Sequence, residues 1–364
     1  MDTVYNIWLQ QTPLVARQKQ ELLTYFGEAK KVYEASYEAY FEAHLEKRCI
    51  EKLLLAKKRL NEAEKIKNYC EKEGIYILDK THPEYPFYLK QIVDSPIVLF
   101  IKGQLASLQK PLFAIVGSRK CSEYGYEMAY QLASNLAQTG ITIVSGMALG
   151  IDEAAHKGAL RNGDSIAVLG TGVDCCYPKK NYGIYKEMCQ KGCLVTEYEP
   201  GIEPLPFHFP LRNRIISGMT MGVLVVEADI RSGSLITANL ALEYNREVFA
   251  VPGNITSSLS SGTNELIKHG AKCVTCIEDI LEELPIDFLN TFEENKKNSS
   301  VNPYYKLAQH ETIVYAYVSW NPICLEELLL NTRLPYMNLL ECLVGLETRE
   351  LIKRLPGERY VRIK

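Results

Sequence analysis

LFAIVGSR, residues 112–119, sets five apolar residues directly against a glycine, a serine and an arginine. A run this short, without polar alternation, reads as a strand buried on both faces, and its abrupt end in GSR reads as a strand-to-helix turn. The same form recurs between about residues 110 and 284 in ITIVSG, IAVLGTG, LVTEY, VLVVEA, VFAVPG and AKCVTC, with helical periods between the runs. Buried strands alternating with helices predict an α/β domain: an extended Rossmann-like, doubly wound, mostly parallel sheet.

On the N-terminal side the pattern is different. From about residue 14 to 72, QELLTYFGEAKKVYEASYEAYFEA and EKLLLAKKRLNEAEKIKNYCEKEG place apolar residues three and four apart, with Gly74 as the expected C-cap. Residues 1–74 therefore read as a small helical domain. The prolines and short β-rich runs of residues 75–103 read as a connector adding a strand or two to the sheet domain, 75–284. Residues 285–305 are polar and read as a linker. Residues 306–364 read as three short helices followed by two strands turning at Pro356 and Gly357, the order of a winged-helix-like domain.

The totals fit this plan. The 364 residues are 47% hydrophobic and 23% charged, with a formal net charge of −3, so any nucleic-acid partner must be held by a local patch. The first residues lack a basic stretch followed by an apolar one, and no apolar run reaches the length of a membrane span. A cytoplasmic protein with no membrane partner is expected. Eleven scattered cysteines suit free thiols in a reducing compartment. Cys273 and Cys276, in CVTC, read as part of a buried strand rather than as half of a zinc site, because no second well-spaced pair accompanies them.

Five apolar runs end in glycine or serine turns: 117–119, 145–147, 170–172, 232–234 and 252–253. In a doubly wound sheet these ends share one edge, where glycine admits a ligand to the backbone and helix N-termini favour phosphate. The turns contain neither G-x-G-x-x-G nor G-x-x-x-x-G-K-[ST], which argues against dinucleotide binding and P-loop hydrolysis. They offer arginine instead: Arg119 in the first turn, and Arg212 and Arg214 in HFPLRNRIISGM, residues 208–219, where a guanidinium pair between FP and IISG suggests an anion clamp. No paired carboxylates, Ser-His-Asp arrangement or metal set emerges, so no catalytic residue, metal or cofactor is expected. Asp152 and His156, four apart on one helical face, read as a helix N-cap and a face residue.

GSR, SGMALGIDEAAHKGAL, AVLGTGVDCCYPKKN, FPLRNRIISG, VLVVEADIRSGSLITANLALEYNREVFAVPG and SSGTNELIKHGA, in this order, resemble the DNA-processing protein A family (DprA, also called Smf). The resemblance covers roughly residues 75–284, and the flanks resemble that family's helical N-terminal domain, of SAM or helix-hairpin-helix type, and its winged-helix-like C-terminal domain. It implies a non-enzymatic protein that binds single-stranded DNA, dimerises, protects incoming DNA and loads the RecA recombinase during natural transformation. Carried over residue by residue, it assigns the DNA backbone to Gly117, Ser118 and Arg119, with Lys179 or Lys180 beside them. Phe209 becomes a stacking platform, Arg212, Asn213 and Arg214 a phosphate-binding block, and Gly233, Ser234 and Thr237 a helix start facing phosphate or sugar. Asn239, further along that helix, is placed toward a base edge.

Alternatives stand beside these roles. Arg214 can instead pair with an interior carboxylate such as Glu227 and brace the sheet, and Phe209 can be core. A second functional class is a nucleotide phosphoribohydrolase of neighbouring Rossmann type. IRSGSLITANLALE keeps a glycine and a threonine of that family's PGGxGTxxE block but loses the paired glycines and sets Glu243 at the wrong distance. Two departures from the resembled family count: Leu149 replaces an arginine expected in SGMALG, and the helix PYMNLLECLVGLE carries Glu341 and Glu347 with no basic residue. A helix reading duplex DNA needs basic and amide side chains, so this last domain reads as an interaction module.

Overall fold

The structure, a computed structural model, describes residues 2–284, 308–319, 322–349 and 351–362. The chain forms two compact units, Met1–Phe292 and Glu293–Lys364. The linker expected at 285–305 lies outside the described residues.

The first unit is organised on a nine-stranded sheet. Its strands are β1 (Tyr76–Asp79), β2 (Val98–Gly103), β3 (Leu112–Val116), β4 (Thr142–Ser145), β5 (Ser165–Val168), β6 (Cys193–Thr196), β7 (Gly222–Val225), β8 (Glu247–Ala250) and β9 (Lys272–Cys273). They lie in the order β1-β2-β6-β5-β4-β3-β7-β8-β9. From β6 to β9 every neighbouring pair is parallel, while β2 runs antiparallel to β6, and β1 antiparallel to β2. The connector 75–103 therefore supplies two strands that extend the sheet.

Alternation along β3 shows why the short apolar runs need no polar residues. Leu112, Ala114 and Val116 enter one core with Val144, Val168, Ile215 and Met219, and Phe113 and Ile115 enter another with Leu136, Ile143, Ala155 and Phe249. Each face is covered by helices, so both sides of every central strand are dry. On the first face lie α11 (His208–Met219) and α12 (Gly233–Glu243); on the second lie α8 (Glu123–Gln138) and α9 (Ile151–Asn162).

The N-terminal residues form six helices: α1 (Asp2–Gln11), α2 (Ala16–Phe26), α3 (Ala29–Glu34), α4 (Tyr37–Glu42), α5 (Lys47–Ala56) and α6 (Leu60–Glu73). Gly74 ends α6 in the left-handed region, at φ 64° and ψ 34°, as its sequence position implies. Ile7, Trp8 and Leu53 belong to the same buried cluster as Val98, Phe100 and Leu194, so these helices share a core with the sheet edge. The Trp8 indole donates to the Ala56 carbonyl at 2.8 Å, which satisfies the one polar atom this ring brings into that core.

CVTC departs from its sequence reading. β9 is a two-residue strand at the open edge of the sheet, Val274 is buried, and Cys273 and Cys276 are exposed. An edge strand has one neighbour and little cover, so apolar composition alone did not bury the thiols. Among the described residues no group of three His, Cys, Asp or Glu is arranged to hold a metal, and no helix is long and apolar enough to cross a membrane.

The second unit packs helices Gln309–Tyr317, Leu325–Thr332 and Tyr336–Thr348 around Val314, Leu328, Leu339 and Leu346. Strands Ile352–Leu355 and Arg359–Arg362 form a hairpin, turning at Gly357 with φ 80°, and the second of them also pairs with Ile323–Cys324. That last two-residue strand was not legible as a strand, being too short to show a period.

Phe113 and Phe249 are fully buried, with ring centroids 5.4 Å apart. Phe113→Ala removes this contact and leaves a void, so urea unfolding is expected to show a loss of about 3–5 kcal/mol. A loss below about 1 kcal/mol would mean that this face of the sheet is not packed as described.

Candidate nucleic-acid interface

The chain winds from β3 outward through β4, β5 and β6, then returns to place β7 on the other side of β3. Ligands of open α/β sheets bind at this switch point, beyond the carboxyl ends of the strands. The loops that leave β3, β4 and β7 are in contact there. The Ser118 amide donates to the Glu227 carbonyl at 2.7 Å, and the Ser118 carbonyl accepts from the Ile151 amide at 3.2 Å. A Cβ at Gly117 would lie 2.6 Å from Ile151 Cγ1, and one at Gly150, where φ is 80°, would lie 2.4 Å from the Ser118 carbonyl oxygen. These glycines are needed because three loops cross at one point, which is a packing reason rather than a ligand-binding one. The Glu227 carboxylate accepts from the Ser122 amide and hydroxyl at 2.8 and 2.6 Å, tying the β7 exit to the start of α8.

Around this crossing the expected residues separate by exposure. Arg119, Lys179, Lys180, Gly233 and Asn239 are exposed; Gly117, Ser118, Phe209 and Asn213 are half-buried; Arg212, Arg214, Ser234 and Thr237 are buried. The exposed group has a focus. The Arg119 guanidinium stands 5.6 Å from the centroid of the Phe209 ring, and Phe209 in turn lies 5.4 Å from Tyr177. Phe209 fits because residue 170 is glycine: a Cβ there would come within 3.1 Å of the ring. Tyr177 was not singled out from sequence, although it adjoins Pro178, Lys179 and Lys180. Together these residues present a cation and two aromatic faces, 43% of Tyr177 being accessible.

RNR divides. α11 begins at His208, so Pro210 lies within its first turn, where the missing amide costs no hydrogen bond, and the residues after it point in different directions. Arg214 takes the bracing role, with different partners from the one expected. Its guanidinium donates to Glu197 and lies 3.7 Å from Asp94, whereas Glu227 is committed to Ser122. With its side chain 8% accessible and two carboxylates upon it, Arg214 is not available as a phosphate clamp in this arrangement. Arg212 is also buried. It donates to the Val168 carbonyl, and a Cβ on Gly146 would fall 2.2 Å from its Nη1, so the second glycine of the edge exists to make room for an arginine. Burial and the neighbouring Arg119 push the Arg212 pKa down to about 10, against the opposing pull of Asp152.

Thr237 packs α12 on α11, its carbonyl accepting from the Ser217 hydroxyl at 2.7 Å, and is not placed to meet a ligand. The start of α12 is tied to the site from the other side, through the Asn213 amide, 3.4 Å from the Gly233 carbonyl, and Ser232 is its N-cap. Glu243 is the last residue of α12, about 15 Å along the helix from that cap, so it lies far from the switch point.

Asp152 and His156 are buried supports of the edge. The N-cap of α9 is Gly150, not Asp152 as expected; the Asp152 carboxylate instead accepts from the Gly146 and Ala148 amides at 3.1 and 3.3 Å. Burial raises its pKa even with Arg212 beside it. His156 meets the Met147 amide at 3.2 Å and the Ser165 hydroxyl at 2.7 Å.

The sheet topology, the crossing of loops and the arginine–aromatic group define a doubly wound α/β protein whose switch-point edge presents a cation beside two aromatic rings. Residues 76–285 match the family model described as DNA recombination-mediator protein A, and the chain belongs to that family. It is 49% identical over 200 residues to DNA processing protein DprA of Streptococcus pneumoniae, covering 55% of this chain and 71% of that protein. It is 33% identical over 344 residues to protein Smf of Synechocystis sp., covering 86% of each. Among solved structures, DNA processing protein A from Streptococcus pneumoniae aligns with a TM-score of 0.69 at 38% identity, over 78% of this chain and 98% of that one. DNA processing protein A from Helicobacter pylori, a structure described for its single-stranded DNA binding mode, aligns with a TM-score of 0.53 at 31% identity, over 61% of this chain and 96% of that one.

Arg214→Met strands Glu197 and Asp94 without their cation and is expected to cost about 3–5 kcal/mol in urea unfolding. Arg119→Ala, at an exposed position, should change stability by less than about 0.5 kcal/mol. Equal losses from the two would contradict the division between a bracing and a presented arginine.

Burial, reinforced by Arg212, lowers the His156 pKa from its ordinary 6.5 to about 3. The unfolded chain binds the proton first, so the stability linked to His156 is fully present above pH 6.5 and falls away as pH drops toward 3. His156→Gln is expected to have a shallower loss of stability across that window than the parent. Superimposable slopes in paired acid titrations would show that the ring is not held neutral.

Proposed function

We propose that this protein is a non-enzymatic binder of single-stranded DNA that holds the strand along the switch-point edge of its sheet. The observation that carries this reading is the Arg119–Phe209–Tyr177 group, in which Arg119 and Tyr177 are exposed and Phe209 is half-buried between them, with Lys179 and Lys180 on the loop that bears Tyr177. Unpaired bases stack on aromatic faces at about 1–3 kcal/mol per base, and arginine and lysine take the phosphates between them. A duplex hides its base faces, so this combination favours the single strand. Ser118, Gly117 and Asn213 line the same edge, with Gly233, Ser234 and Asn239 along its α12 side. Arg212 acts from beneath, holding the β4 and β5 exits in place, rather than as a free clamp.

The kinship with DNA processing protein A supports extending this to a role in handling incoming DNA during natural transformation, acting in the cytoplasm as a homodimer that loads the RecA recombinase. The second unit, with its order of helix, short strand, two helices and hairpin, is proposed to be a winged-helix-like interaction module. Its third helix, Tyr336–Thr348, carries exposed Glu341 and Glu347 and no lysine or arginine, which disfavours docking in a DNA groove.

Fluorescence anisotropy with a labelled single strand and its duplex, each at several salt concentrations, tests the reading. The parent is expected to prefer the single strand. Arg119→Ala should weaken binding for any sequence and reduce the slope of log affinity against log salt by about one contact, and Phe209→Ala should weaken binding by about 1–3 kcal/mol with that slope unchanged. Equal affinity for both forms of DNA, or indifference to both substitutions, overturns it.

A further inference from the structure

In a chain of formal net charge −3, a dense run of positive charge lies far in sequence from the switch-point loops. Residues 47–59, KRCIEKLLLAKKR, hold six cations and one carboxylate, Glu51. They form α5 and, with the backbone still in the right-handed helical region at Ala56 and Lys57, the 3-10 turn Lys57–Arg59 that leads into α6. Ile50 and Leu53 turn one side of this helix into the core, while Lys47, Arg48, Lys58 and Arg59 are exposed and Lys52 is half-buried. Arg48, Lys52, Leu55 and Arg59 follow one another at spacings of four, three and four, so they share one face, with Lys47 and Glu51 beside them.

Lys57 is committed to the fold: its ammonium donates to the Ala35 carbonyl at 2.6 Å and stands over the Tyr33 and Tyr40 rings. The other five form no ion pair among the described residues, although Lys30, Lys31 and Lys67 on neighbouring helices each reach a glutamate. Like charges three and four residues apart on a helix repel one another, and Glu51 offsets only one of them, so the face is improved by an anion laid along it. From Lys47 to Arg59 it is about 18 Å long, enough for about five phosphates of one stacked strand. An anionic lipid surface suits it less, because membrane helices bury a broad apolar face, and here that face is spent on the core, leaving Leu55 alone exposed. No aromatic ring lies among residues 47–59, so there is nothing to stack a base. α6 connects this face to the switch-point edge: Tyr69, about 15 Å along the helix from Arg59, sets its hydroxyl 3.4 Å from the Asp174 carboxylate, on the loop that continues to Tyr177, Lys179 and Lys180. We propose that the basic face of α5 and the turn after it is a second contact surface for DNA, one that takes only the phosphate backbone, so that a strand held at the switch-point edge continues onto the N-terminal helices. The choice of DNA as ligand rests on the reading of that edge, and the two are tested separately.

Salt-dependent anisotropy titrations on the full chain test it with two labelled single strands, one of about 8 nucleotides, within the size a single groove occupies, and one of about 40. The variants are Lys58→Gln/Arg59→Gln and the five-fold Lys47→Gln/Arg48→Gln/Lys52→Gln/Lys58→Gln/Arg59→Gln. Both are expected to keep or raise the Tm, since repulsion between neighbours is removed. Each phosphate contact to a single strand contributes about 0.7 to the slope of log affinity against log salt, so for the long strand the five-fold variant should be shallower by about 2 to 3.5 and the double variant by about 1.4. The short strand should bind the five-fold variant as it binds the parent, whereas Arg119→Ala should weaken both strands. Loss of long-strand affinity in the five-fold variant, with Arg119→Ala without effect on either strand, would sink the reading of the edge and leave this surface standing. An unchanged long-strand slope in the five-fold variant, or equal losses for the two strands, overturns the proposal. Sedimentation with phosphatidylglycerol vesicles covers the lipid alternative: binding that the five-fold variant loses while its long-strand slope stays at the parent's value assigns the face to a membrane and also overturns it.

Discussion

The pairing of Arg214 with Glu197 and Asp94 sets the position of α11, and much of the candidate interface depends on that helix. The three charges join α11 to the exit of β6 and to the segment before β2, at a place where the N-terminal helices also close in. Taking such groups out of water is expensive, and the pair is therefore worth more as a registration device than as a source of stability. With the helix held there, Phe209 faces Gly170 and Arg119, Arg212 reaches Gly146 and the Val168 carbonyl, and Asn213 meets the start of α12. A shift of α11 by one residue would turn all of these side chains by about 100°.

The edge that results separates two kinds of arginine. Arg212 and Arg214 are buried and committed to partners below the surface, Arg214 to Glu197 and Asp94 and Arg212 to the Val168 carbonyl beside Asp152, whereas Arg119 is presented to solvent against an aromatic ring. Arg212 also lies beside Asp152, which in turn receives the Gly146 and Ala148 amides, so the β4 exit is held by a buried network. Preorganised charge and a rigid backbone suit a ligand whose own chain is flexible, because the ordering cost then falls on one partner only.

How much of this was legible in advance varies with the kind of signal. The buried parallel sheet, the C-cap at Gly74 and the shared edge of the turns were readable, because each rests on a local pattern: apolar runs on a doubly covered strand, or a glycine where the backbone turns left-handed. Exposure was not readable. Three similar signals, GSR, RNR and SGSLIT, turned out to contain an exposed arginine, two buried ones and a buried threonine. CVTC looked like the interior strands and lies at the open edge. Tyr177, which completes the aromatic group, passed unnoticed in YPKKN because its importance comes from Phe209, 32 positions away in the chain.

Sequence by itself determined the class of fold, the family resemblance and the small set of loops from which an interface can be built, since periodicity and motif spacing are properties of neighbouring residues. Tertiary structure alone decided which of those side chains face water and which partners the buried ones take. Arg214 has Glu197 and Asp94 rather than Glu227, and Gly146 serves Arg212 rather than a ligand. The physical reason is that burial and charge pairing are set by segments distant in the chain, brought together by the winding of the sheet, and nothing in an isolated motif records which carboxylate or carbonyl will be waiting there.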